Sequence, residues 1–100
     1  MATDKQIKAA IRDAEEWYGL ILPYELAKRV LENNLRLLDG FSGDYGFDTE
    51  ERSDFINSVL KQELSMNMEW PLNGADPFQK ELFFNTIKAA CINTEIKLLF

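Results

Sequence analysis

The hydroxyl and thiol side chains first to be weighed as nucleophiles are Ser42, Ser53, Ser58, Ser65 and the single cysteine, Cys91. The chain has no histidine, so none of them has an imidazole to take up its proton, and Ser-His and Cys-His catalysis are excluded. Histidine-ligated metal chemistry goes with them. Cys91 falls on the apolar stripe of a predicted helix, which is the setting of a core filler rather than a reactive thiol. The adjacent carboxylates Glu15-Glu16 and Glu50-Glu51 point in different directions around a helix and read as solvated faces, not as an acid and base pair. No glycine loop of the phosphate-cradling kind precedes a helix. The expectation is a protein that is not an enzyme and takes no cofactor or metal.

What the residues do offer is charge and aromatic surface. Asp39, Asp44, Asp48, Glu50, Glu51 and Asp54 face only Arg52, a net charge of -5 within residues 39–54, while the rest of the chain is about neutral. Acids at a helix start interact favourably with its positive end, and this accounts for part of the cluster. The whole cluster also suits a docking patch for a basic surface. Phe41, Tyr45 and Phe47 lie in the same stretch among glycines, either as plugs into the core or as exposed anchors of an interface; two of the three are expected to be core. A calcium loop starting at Asp39 fails, because Phe41, Gly43 and Asp44 occupy the third, fifth and sixth positions, where two ligands and the turn glycine belong. Trp70-Pro71-Leu72 forms a second candidate element. Trp70 either folds onto the core or protrudes with Leu72 for recognition, across a prolyl bond whose cis isomer is accessible. The candidate contact residues are therefore Phe41, Asp44, Tyr45, Phe47, Asp48, Glu51, Trp70, Pro71 and Leu72.

The elements that position these residues follow from periodicity. Thr3 and Gln6 form a capping box ahead of a first helix with the stripe Ile7, Ala10, Ile11, Ala14, Trp17 and Tyr18, its wet face carrying Lys8, Arg12, Asp13, Glu15 and Glu16, and Gly19 as its stop. Pro23 suits a first helical position, opening a second helix that buries Leu26, Ala27, Val30, Leu31, Leu35 and Leu38 and ends at Gly40. Asp48 and Glu51 open a third, with Phe55, Ile56, Val59, Leu60, Leu64 and Met68 at helical spacing, ending before Trp70-Pro71. Asp76-Pro77-Phe78-Gln79 starts a fourth, whose expected stripe is Phe78, Leu82, Phe83, Ile87, Ala90 and Cys91. Ile96–Phe100 is either a last turn or an extended tail docked on the core. No segment alternates convincingly, so a sheet is not expected.

The fold class is thus all-α, a compact bundle of four to five helices forming a single domain over residues 1–100. The 100 residues are 46% hydrophobic and 28% charged, ordinary globular usage. A formal charge of -6 argues against a nucleic-acid binder that works by phosphate neutralisation. No run approaches the roughly 20 apolar residues that span a bilayer, and one cysteine allows no intrachain disulfide, which fits a reducing cytoplasm.

Taken together, the run from Met1 to Asn34, the loop DGFSGDYGFDTEE and the joint MEWPLNGADPF resemble small accessory recombination proteins of lambdoid bacteriophages, of the anti-RecBCD type. The resemblance implies a protein of the host bacterial cytoplasm that binds the RecBCD helicase-nuclease, through its RecC subunit, and modulates its attack on linear phage DNA in favour of recombination. The residues themselves leave two other classes open. One is an acidic immunity protein or DNA mimic that shields a basic nuclease or toxin surface, and the other is a small regulatory adaptor.

Overall fold

The computed structural model describes residues 2–39, 47–70 and 75–99. Helix α1 (Asp4–Tyr18) starts from the capping box, in which Thr3 accepts from the Gln6 amide and Gln6 accepts from the Thr3 amide. It stops at Gly19, whose left-handed backbone (φ 68°, ψ 23°) returns amide hydrogen bonds to Ala14 and Glu15; a Cβ there is disfavoured. A short strand β1 (Leu20–Ile21) leads to Pro23, which stands at the N-cap, one position before the first helical residue of α2 (Tyr24–Glu32).

The second helix does not run on to residue 40. Asn34 donates its side-chain amide to the Val30 carbonyl (2.7 Å), and its backbone amide to Leu31, side-chain competition that ends a helix from within. The chain restarts as the single turn α3 (Arg36–Asp39). The restart shifts the helical phase, so Leu37 enters the core, Leu38 is half-buried and Leu35, assigned to the stripe, is exposed.

Helix α4 (Thr49–Glu63) begins at the Asp48 N-cap, which accepts from the Glu51 amide at 2.8 Å. It ends earlier than Trp70-Pro71 requires, because Ser65 takes a left-handed φ of 53° and the Met66 amide turns back to the Leu60 carbonyl at 2.9 Å. Met66 is buried and Met68 is not. Helix α5 (Pro77–Cys91) opens with the Asp76–Gln79 capping box and Pro77 in the first turn. Only part of its assigned stripe is inside. Phe83, Ile87 and Cys91 are buried, whereas Phe78 and Leu82 face outward.

The tail resolves as the extended alternative. Ile96 is buried and β2 (Lys97–Leu98) pairs antiparallel with β1, Leu20 opposite Leu98 and Ile21 opposite Lys97, extended by Leu99 N–H to Gly19 O at 2.9 Å. This small sheet was not expected from the sequence, since two-residue strands are too short to show alternation. The fold remains an all-α bundle. Its buried side chains form one cluster among the described residues, filled by Ile7, Leu31, Ile56, Leu60 and Ile87 and their neighbours. Polar ties lock the helices in register around it. Arg29 of α2 grips both carboxylate oxygens of Glu63 in α4, and the Tyr24 hydroxyl donates to Asp4 at 2.8 Å.

Ser65 carries a left-handed backbone with a Cβ, which costs about 1 kcal/mol. Ser65→Gly is expected to raise the thermal midpoint, and Gly19→Ala to lower it by a comparable amount, in parallel denaturation scans.

Candidate functional site

The carboxylates at the start of α4 are divided by the fold into different environments. Asp48 and Glu50 are exposed. Asp48 is held below the usual carboxylate range first by the Glu51 backbone amide it accepts from, and also by Arg52 nearby. Glu51 is half-buried, its Oε2 is shielded from solvent with no hydrogen-bond partner among the described residues, and burial followed by the adjoining Asp48 carboxyl pushes its pKa up. Asp54 instead lines a groove of about 370 Å³ beside α3 and α4, which it shares with Arg36, Asn57, Lys61, Met66 and Glu69. Charges of both signs line that groove, so it offers no single-sign recognition.

Arg52, the one cation within the cluster, is committed inward. Its Nη1 donates to the Phe47 carbonyl at 2.9 Å and its Nη2 to the Thr49 hydroxyl at 3.1 Å, while the guanidinium carbon sits 4.5 Å from the ring centroid of Trp17. Cation–π geometry of this kind contributes about 0.5–1 kcal/mol at exposed sites. Trp17 was assigned to the buried stripe of α1, yet it is 62% exposed and is covered on one face by this arginine. Phe47 plugs the core next to the helix entry.

Asp13 departs furthest from its expected place on the wet face. It is 6% exposed, with Arg12 Nε 3.7 Å away. Burial raises its pKa, against the opposing pull of Arg12 and Arg52. Its position explains the difference. Asp13 is one turn from Ala9 and one turn from Trp17, and α1 is covered by both α2 and α4, so the buried arc is wider than the apolar stripe.

Trp70 folds onto the bundle rather than protruding. Its ring packs edge-on against Tyr18 (5.0 Å between centroids), Phe83 (5.4 Å) and Phe84 (5.6 Å). Its backbone amide donates to Asn57 Oδ1 at 2.9 Å. Burial raises the Tyr18 pKa beside it. Of the nine candidate contact residues, Asp48 and Glu51 come together at one helix start, Phe47 is core, and Trp70 belongs to this separate aromatic cluster. Phe41, Asp44, Tyr45, Pro71 and Leu72 lie outside the described residues. The residues that sequence reasoning missed are Trp17 and Asp13; the usable signal for Trp17 was its place in the last turn of α1, where a stripe loses its covering helix, and Asp13 had none.

No group of three or more His, Cys, Asp or Glu side chains among the described residues is placed to hold a metal ion, and no helix of the described residues is long and apolar enough to cross a membrane. Comparison with known proteins finds no matching family model, no matching curated protein and no matching solved structure.

Two outcomes follow from this geometry. The Asp13 carboxylate is less favourable folded than unfolded, so it costs stability at neutral pH, and the cost disappears as pH falls through its raised folded value. Asp13→Asn is therefore expected to stabilise the protein at pH 7, with the gain shrinking toward acid pH in denaturant titrations; a gain independent of pH excludes the linkage. Trp70→Ala is expected to cost about 3 kcal/mol. Amide exchange in α5 should quicken more than in α1, since the indole is the contact that α5 loses.

Proposed function

We propose that the chain is a phage-encoded protein that binds the host RecBCD helicase-nuclease, through its RecC subunit, and modulates its degradation of linear DNA in favour of phage recombination. The place of action is the host bacterial cytoplasm. The sequence resemblance supports the partner, and the start of α4 supports the manner of binding. There the exposed Asp48 and Glu50 stand with their neighbouring cation, Arg52, turned onto Phe47, Thr49 and Trp17. That inward commitment is the observation on which the reading rests: the guanidinium is engaged by Phe47, Thr49 and Trp17 while the Asp48 and Glu50 carboxylates face solvent. Such a surface raises association rates with a basic partner and penalises wrong ones. A protein of this kind acts by covering a surface of the nuclease or by favouring one of its conformations through differential binding.

The same carboxylates also favour a second reading, an acidic mimic of DNA that shields a basic nuclease or toxin surface. The two separate experimentally. A DNA mimic competes with duplex DNA for its target, whereas a modulator is accommodated together with a DNA end.

Tagged protein is expected to recover the RecBCD subunits from bacterial lysate at low and moderate salt, identified by mass spectrometry. A reproducible preparation with some other specific partner and none of these subunits overturns the reading. The contact face is tested by Asp48→Asn combined with Glu50→Gln. Asparagine still caps α4, so the fold should persist while affinity for the complex falls and its salt dependence flattens. Unchanged affinity and salt dependence place the contact elsewhere.

A further inference from the structure

Helix α5 has two apolar faces, and among the described residues only one of them enters the core. Phe83, Ile87 and Cys91 enter the core. On the opposite side Phe78, Leu82, Asn85, Ala89 and Ile92 follow one another at steps of four, three, four and three residues, the last of them at the C-cap with helical dihedrals (φ -54°, ψ -41°). Phe78 is 74% exposed, Leu82 55% and Ile92 77%. Asn85 and Ala89 are exposed as well. Contiguous apolar surface of this kind marks an interaction site, and the spacing is that of a coiled-coil seam.

The seam is complementary to itself. If a second α5 is laid antiparallel about Asn85, Phe78 meets Ile92 of the second copy, Asn85 meets Asn85, and Leu82 lies against its Ala89 one residue out of step. A single polar residue at such a position fixes register. The flanks point the same way. One edge of the seam carries Glu81 and Lys88, the other Gln79, Thr86 and Asn93. Antiparallel pairing brings the two charged edges together, so that Glu81 of each copy faces Lys88 of the other. Parallel pairing sets the charged edge against the neutral one and forms no such pair. Lys88 also has an interaction within its own chain; an ammonium carries three donors and serves both contacts.

We propose that this face of α5 is a two-fold, antiparallel interface to a second copy of the chain. The contact is isologous and closes at the dimer. A seam of one helix of this length covers on the order of 1,000 Å² in total, the lower end for a specific interface.

Sedimentation equilibrium across the micromolar range tests this with three samples. Wild type is expected to pass from monomer to dimer. Glu81→Lys and Lys88→Glu, each alone, place like charges opposite one another, and each should weaken self-association by about tenfold or more. An equimolar mixture of the two variants should restore dimerisation to near the wild-type level, because the all-basic edge of one then faces the all-acidic edge of the other. Recovery in the mixture also proves that both variants are folded. A wild type that stays monomeric throughout overturns the proposal and leaves the face to a different partner. Variants that self-associate like wild type, or a mixture that does not recover, overturn it equally.

Discussion

Trp70 is the side chain on which the attachment of α5 depends. Its ring meets Tyr18 at the end of α1 and Phe83 and Phe84 of α5 edge-on, and its amide is held by Asn57 of α4. Edge-on aromatic pairs add about 0.5–1.5 kcal/mol each beyond burial of area. The helices α1, α2 and α4 are tied directly by aliphatic packing and by the Arg29–Glu63 and Tyr24–Asp4 contacts. Helix α5 joins that unit through Phe83 and Phe84 around Trp70 and through Ile87 and Cys91 in the core. These contacts lie on one side of the helix and leave Phe78, Leu82 and Ile92 exposed on the other.

The same end of α1 organises the acidic surface. Trp17 and Tyr18 are adjacent in sequence but diverge around the helix, Trp17 toward Arg52 and Tyr18 toward Trp70. Arg52 in turn fastens the chain entering α4 at Phe47 and Thr49. Arg52 is thereby engaged at the helix entry and also favours the charged form of Asp48, while Asp48 and Glu50 stay exposed.

The helix starts were legible in the sequence because capping is local. Thr3 with Gln6, Asp48 with the Glu51 amide, and Asp76 with Gln79 need only residues three apart. The ends were less legible, because they depend on one side chain or one dihedral. Asn34 reaching the Val30 carbonyl splits the second helix, and Ser65 with positive φ closes α4 without glycine to announce it. The pairing of residues 20–21 with 97–98 joins opposite ends of the chain and has no local signature at all. For the candidate site, Asp48 and Glu51 were identified at the right helix start. The roles of Trp17 and Asp13 were hidden because periodicity gives the centre of a buried arc and not its width.

The fourth helix shows why an apolar residue at helical spacing does not identify its own destination. Phe78 and Leu82 were grouped with Phe83 and Ile87 as one stripe, although they lie on nearly opposite sides of the helix. On an amphipathic helix such as α1 the charged face locates the stripe by contrast. Helix α5 offers little contrast, with Lys80, Glu81 and Lys88 its charged residues. What separates its two faces is shape. The inner one bears the rings and Ile87 that fit around Trp70 and the core, and the outer one carries Phe78, Leu82, Ala89 and Ile92 on either side of Asn85. Phe78 and Leu82 carry a spacing that suits either face, and only the fit of Phe83 and Phe84 around Trp70 decides which side of the helix is inside.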